Sequence, residues 1–237
     1  MKAIPTNYYQ PLKSHDEWRN LLSHPINHWV DGKSAKELVK LWLQTNDIPA
    51  SVRSIFPDSD IKPLFIFPEY QVQMPGKGGN SQNDLYIYAS TKTNNWVIIV
   101  EAKANEVFDE TVEKWYEEKK NANGGENAAY RLTEIQKILE LKVIDNPPYN
   151  TIGKLRTQLF HRTASAIIEA KRVEVSKALV LIQSFANNSN NYLDFKSFLS
   201  LFCIDNTIEK DKLIGPVKIG NIELHFAWIN YTVEQAK

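Results

Sequence analysis

The chain has little that would tie it together covalently or draw it to a polyanion by charge alone. It carries one cysteine in 237 residues, so no internal disulfide can form. Cys203 stands in the apolar string Phe198 to Ile204, where a core position is expected. Its 28 Lys and Arg against 28 Asp and Glu leave no formal net charge. That excludes a globally basic nucleic-acid coat and an acidic tail protein. Long apolar runs are missing too. The longest strongly apolar stretch is Trp96-Val97-Ile98-Ile99-Val100, far short of the ~20 residues a membrane-spanning helix needs. The start, Met1 to Asn7, has no apolar signal-peptide core. There is no internal repeat and no low-complexity segment, only two Asn-rich patches, 121–125 and 187–191, that read as exposed loops. These absences together predict a protein of the reducing cytoplasm with no membrane partner.

What is present is the composition of a globular protein, 43% hydrophobic and 24% charged, and one domain over residues 1–237 is expected. The spacing predicts a first helix after Gly32-Lys33, with Ser34 as N-cap, Glu37 completing a capping box, and Leu38, Leu41 and Trp42 as its buried stripe. A strand-like run from Leu64 to Met74 is closed by the turn Pro75-Gly76-Lys77-Gly78-Gly79. Leu85 to Ala89 and Trp96 to Ala102 are short, aromatic and β-branched, and read as a hairpin. Helices are predicted over Glu106 to Lys120, Ala128 to Leu141, Lys154 to Arg172 and Asp194 to Cys203. Ser176 to Phe185 reads as a buried strand and Ile222 to Ile229 as a last one. This order predicts a mixed α/β or α+β domain with a central sheet.

Chemistry concentrates where Asp84 opens one strand and Glu101-Ala102-Lys103 closes the next. Strand side chains alternate, so Glu101 and Lys103 share a face. A hairpin would bring Asp84 across from them. Two facing carboxylates repel unless a cation sits between them, and hard oxygen donors with open water positions suit Mg²⁺ or Mn²⁺. Strand parity sets a condition: Asp84 joins that face only if paired residue numbers add to an odd number, as when Thr91 pairs Trp96 around a four-residue loop. An even register puts Asp84 on the wrong face.

The helix, the three strands with Asp on the second and Glu-x-Lys on the third, and the following helix and strand resemble the PD-(D/E)XK phosphodiesterase superfamily. The resemblance covers about residues 33–186 and leaves 187–237 as an extension; Asn83 stands where the superfamily often has proline. The blocks Ser81 to Asp84, Val100 to Lys103 and Gln158 to Ala166 are similar to an uncharacterised bacterial family within it. The resemblance implies an α/β restriction endonuclease-like fold, a central mixed sheet flanked by helices, and Mg²⁺- or Mn²⁺-dependent cleavage of nucleic acid, DNA first. Carried over, Asp84 and Glu101 are metal ligands and Lys103 is the catalytic lysine. A further acid is Glu37 on the first helix or Glu69 on the first strand. Gln158 corresponds to a glutamine near the metal in several branches. Rival readings are an inactive module of the same fold that binds nucleic acid or a partner protein, and an accidental match in a scaffold or a metabolic enzyme. Homo-oligomers are compatible with all of them.

On the helix from Lys154, Gln158, Arg162, Ser165 and Glu169 form a polar stripe opposite Leu159, Phe160, Thr163, Ala164 and Ile167. Residues 151–177 carry six Lys or Arg against two Glu. Arg156, His161, Arg162, Lys171 and Arg172 are therefore expected to supply a basic face for a phosphate backbone. Gly76-Lys77-Gly78-Gly79 lacks the helix and Lys-Ser/Thr of a phosphate loop and reads as a turn. His24 and His28 have i,i+4 spacing but an intervening proline and no adjacent Glu, which does not make a zinc site.

Overall fold

The computed structural model describes residues 12, 14–22, 29–45, 47–57, 60–141, 150–186, 189–204 and 208–231. His24 and His28 lie outside them. In chain order the elements are α1 (His15–Arg19), α2 (Ser34–Thr45), α3 (Ala50–Ser54), β1 (Lys62–Val72), β2 (Ser81–Ser90), β3 (Asn95–Lys103), α4 (Val112–Asn121) and α5 (Gly125–Ile138). They continue with α6 (Thr157–Arg172), β4 (Lys177–Ser184), α7 (Ser189–Leu199), a 3₁₀ turn (Ser200–Phe202), β5 (Ile214–Ile219) and β6 (Ile222–Asn230).

The six strands form one sheet in the order β1-β2-β3-β4-β6-β5. The first three make an antiparallel meander, β3, β4 and β6 run parallel, and β5 returns antiparallel on β6. This is a mixed α/β domain with a six-stranded mixed sheet flanked by helices. Parallel neighbours need a crossover, and the stretch from β3 to β4 supplies it through α4, α5 and α6.

Alternation along the central strands sorts the core into two layers. Val97 and Ile99 of β3 and Val180 and Ile182 of β4 face Leu159, Phe160, Ala164 and Ile167 of α6. Ile98, Val100, Leu179 and Leu181 face the opposite way, toward Leu38, Val39 and Trp42 of α2. Strands covered on both faces carry continuous apolar runs, which is why Ala178 to Ile182 has no polar break. Across the second layer, the Trp42 indole N–H donates to Gln183 Oε1 at 2.9 Å, and Gln183 Nε2 donates to the Tyr231 hydroxyl at 2.8 Å.

The β2–β3 register is odd, with Leu85 opposite Val100 and Ser90 opposite Asn95. The loop has four residues, Thr91 to Asn94, and begins one position earlier than the pairing of Thr91 with Trp96. Asp84 therefore falls opposite Glu101. The Thr91 N–H closes the turn on the Asn94 carbonyl at 2.8 Å.

Several expectations are corrected. Residues 104–111 are not helical; α4 starts at Val112, with Thr111 Oγ1 accepting from the Lys114 N–H. Cys203 is exposed, in the left-handed region at φ 54° that ends the 3₁₀ turn. Ser189 to Asn191 open α7 instead of a loop, and Asn191 is buried. Ser34 is the first residue of α2 and not its cap. No described helix is long and apolar enough to cross a membrane.

Candidate active site

The strand ends that face α6 carry a row of three carboxylates. Glu69 lies between the pairs Pro68–Leu85 and Tyr70–Asn83, hence opposite Asp84. Asp84 lies one step beyond the Leu85–Val100 pair, hence opposite Glu101. Neighbouring strands are about 4.8 Å apart, so β1, β2 and β3 set three acids side by side. Glu69 has φ 52°, unusual for a non-glycine strand residue. The kink interrupts the alternation, and both Glu69 and Tyr70 turn toward the α6 side: Glu69 Oε2 accepts from Gln82 Nε2 at 2.5 Å, and the Tyr70 hydroxyl donates to Glu169 of α6 at 3.2 Å.

Glu101, 2% exposed, has a cation on each oxygen. Lys103 Nζ sits 2.7 Å from Oε1 and Arg162 Nε 2.5 Å from Oε2. Arg162 reaches down from α6 and also donates to Ser81 Oγ at 3.0 Å. Lys103 lies over the Phe108 ring, 5.3 Å from its centroid. Asp84 Oδ2 accepts from the Ala102 N–H at 2.6 Å, so the second residue of the motif holds the aspartate and the outer two hold each other.

These groups line a cavity of about 400 Å³ whose wall also includes Lys33, Glu106, Asp109 and Gln158. Its lining has five carboxyl groups, Glu69, Asp84, Glu101, Glu106 and Asp109, against three cations, Lys33, Lys103 and Arg162. The excess is felt locally. Burial pushes Glu69 up to about 7, with Glu101 adding to it against the Gln82 hydrogen bond. Burial, then Glu101 and Glu69, hold Asp84 well above the usual carboxylate range. Asp109 is raised by burial and Glu101. Glu101 moves the other way, because Arg162 and Lys103 outweigh its desolvation. Burial would lower Lys103, yet Glu101 and Asp84 more than reverse it and keep the ammonium above its ordinary value.

Of the residues singled out in the sequence, Asp84, Glu101, Lys103, Glu69, Gln158 and Arg162 meet at this cavity. Glu37 does not. Its Oε1 accepts from the Gly32 N–H at 3.1 Å and pairs with Lys40 at 2.9 Å, which is the work of a helix-end carboxylate. The basic face is also redrawn. The polar stripe of α6 points inward, with Gln158, Arg162, Ser165 and Glu169 all buried. Arg162 is taken up by Glu101, Arg156 by Asp194 at 2.7 Å and Arg172 by Glu169 at 2.5 Å. The half-buried His161 stacks edge-on against Trp115, and burial with Arg162 and Arg131 pushes it down to about 3. Lys171 alone of the five is exposed. Glu106, Asp109 and Lys33 were not singled out for this site. The helical reading of residues 106–120 hid the first two, because acids before a helix suit its N-terminus whatever else they do.

The lining is rich in the oxygen donors that hard divalent cations prefer. Two carboxyls of the row are held in a state that added positive charge would relieve, and Gln158 Oε1 is buried with no hydrogen-bond partner among the described residues. Among the described residues no three His, Cys, Asp or Glu side chains are grouped to hold a metal ion by themselves. Mg²⁺ uses one or two carboxylates and retains waters, and each Glu101 oxygen keeps a second lone pair beside its cation.

Neither curated proteins nor solved structures give a match to this chain. A family model described as a domain of unknown function, DUF6946, matches residues 11–232, which takes in every strand and all the cavity residues. The chain belongs to the DUF6946 family.

Proposed function

We propose that the chain is a metal-dependent phosphodiesterase of the PD-(D/E)XK type that cleaves nucleic acid, DNA being the substrate the resemblance implies. The observation that carries this reading is Asp84: a carboxylate placed opposite Glu101, beside Lys103, in a cavity where its ionised form is disfavoured. A structural acid is normally paired or absent from such a place. Perturbed groups clustered in a cleft are the mark of a functional site. The order helix, three-stranded meander, crossover helix and parallel strand also supports the restriction endonuclease-like assignment.

In this reading Asp84 and Glu101 would hold Mg²⁺ or Mn²⁺, whose positive charge would supply Lewis-acid polarisation of a phosphoryl oxygen and lower the pKa of a nearby water. Lys103, held protonated, is unsuited to act as a base; its ammonium stabilises charge developing on the phosphoryl oxygens. Arg162 fixes the orientation of Glu101 through Oε2. Glu69, with its carboxyl at about 7, is the group able to take a proton from the attacking water near neutral pH. As water's oxygen bonds to phosphorus, the P–O bond to the leaving group breaks and the leaving oxygen takes a proton from solvent water. The occupation of both Glu101 oxygens by Lys103 and Arg162 favours one alternative, a quiet module of the same architecture that binds nucleic acid without cutting it.

Asp84→Asn separates the two. The amide oxygen can still accept from the Ala102 N–H, while the charge is removed. The expected result is Mg²⁺-dependent, chelator-sensitive cleavage of plasmid or oligonucleotide DNA by the wild type and its loss in Asp84→Asn. The melting temperature of the variant should be unchanged or higher. Binding of DNA without cleavage under Mg²⁺ or Mn²⁺ would establish the quiet module instead.

A further inference from the structure

Resting on the phosphodiesterase reading, we infer that Lys33 and Val107 form the seat of a nucleotide unit next to the cleaved bond, Lys33 taking its phosphate and Val107 lying against its sugar or base. A phosphodiester is an anion, and the cavity that would receive it is lined by five carboxyl groups. Two of the three cations in that lining are already spent, because Lys103 and Arg162 are both engaged with Glu101. Lys33 is the third. It is exposed at the cavity wall, and no ion pair engages it among the described residues. Its neighbours Lys36 and Lys40 of α2 are taken up by Asp31, and Lys40 by Glu37 as well. A free ammonium at an acid-rich opening lowers the repulsion an incoming phosphate meets, and lysine binds phosphate as a point charge without a fixed angle of approach.

Val107 is placed beside it by a single hydrogen bond. The Ser34 N–H donates to Glu106 Oε1 at 3.3 Å, which fastens the start of α2 to the stretch between β3 and α4. Lys33 and Val107 each adjoin one member of that bond, and both line the cavity. Val107 is 54% exposed although the residues around it are fixed. Glu106 also accepts from the Ala104 N–H at 3.2 Å, its carbonyl accepts from Asn191 Nδ2 at 2.8 Å, and Phe108 is buried edge-on to Trp228 of β6. An exposed valine alone needs no explanation. A rigidly held one beside the free cation of a cavity with perturbed acids presents an apolar face and a positive charge together, and those are the two complements of a nucleotide: phosphate contacts position the chain, and apolar side chains pack on sugars and bases.

The test is steady-state cleavage of a short DNA oligonucleotide with Mg²⁺ over a range of KCl concentrations. Lys33→Gln should raise KM about tenfold with a smaller change in kcat, flatten the dependence of log KM on log salt by about one unit, and leave thermal melting unchanged. An uncharged methylphosphonate, placed in turn at the phosphates flanking the cleaved bond, should at one position cost the wild type what Lys33→Gln costs and add nothing to the loss in that variant. Val107→Asp, which adds a carboxyl to the rim, should raise KM as well and keeps the inference testable if Lys33→Gln folds poorly. Wild-type KM and salt slope in Lys33→Gln, or equal methylphosphonate penalties in wild type and variant, with cleavage still lost in Asp84→Asn, overturn the seat alone. No cleavage by the wild type overturns it together with the phosphodiesterase reading.

Discussion

Glu69 sits in the left-handed region, which costs a non-glycine residue about 1–3 kcal/mol, and its carboxyl is pushed up to about 7 against an ordinary 4.5. The ionised form is therefore disfavoured in the fold. That burden is absent while the group is protonated in both folded and unfolded states, below about pH 4.5, and is complete above about pH 7. Glu69→Gln removes the charge and keeps an acceptor for Gln82. Without metal it should stabilise the protein at pH 8 by about 1–3 kcal/mol, with the gain fading toward pH 4, as thermal melting at the two pH values would show. An equal effect at both would mean that Glu69 is not desolvated. At this scale the sequence was most legible where strand parity governs. Asp84, Glu101 and Lys103 share a face because the register is odd, and alternation needs no tertiary information. Arg162 was legible as part of a basic face and not as the partner of Glu101. Nothing local to α6 says that Glu101, 61 positions away, will be waiting for its guanidinium.

Among the elements, the β1–β2 connection shows how a polar turn becomes rigid. Arg131 of α5 donates to the carbonyls of Pro75, Gly79 and Lys77 at 2.9, 3.1 and 3.2 Å. Asn127 both accepts from the Lys77 N–H and donates to its carbonyl, at 2.7 and 2.6 Å. Gly78 has φ 122°, a conformation closed to side-chain-bearing residues. Arg131→Met should take the guanidinium donor from the Pro75 and Gly79 carbonyls, while that of Lys77 keeps Asn127, and lower stability by about 1–3 kcal/mol. It should also raise amide hydrogen exchange at residues 76–80; unchanged exchange there would assign the rigidity to Asn127 alone. The long periodic elements, α2, α6, β3 and β4, were readable because burial imposes a pattern on them. β5 was not, since Gly215 and Pro216 interrupt it and only its ends, Ile214 and Ile219, are buried. The direction of the polar stripe of α6 was misread for a related reason: polarity signals a need for partners, and here Glu101, Tyr70 and the cavity meet it where a phosphate backbone was expected to.

For the whole molecule, layer order was legible because a strand such as Ala178 to Ile182 must be covered on both sides. Which strands neighbour which was not, and β6 beside β4 is settled only by long-range pairing. The row of acids crosses the sheet from β3, deep inside, to β1, which is bonded within the sheet only to β2. Outer strands open at lower free energy than central ones. Amides of β1 should therefore exchange with solvent well before those of β3 and β4; equal protection across the three would contradict this. The kinked margin that carries Glu69 would then loosen while Glu101, Lys103 and Arg162 stay locked together. If the proposed phosphodiesterase activity is present, warming would disable it by fraying one border of the sheet, so that it is lost some degrees before the molecule unfolds and returns on cooling.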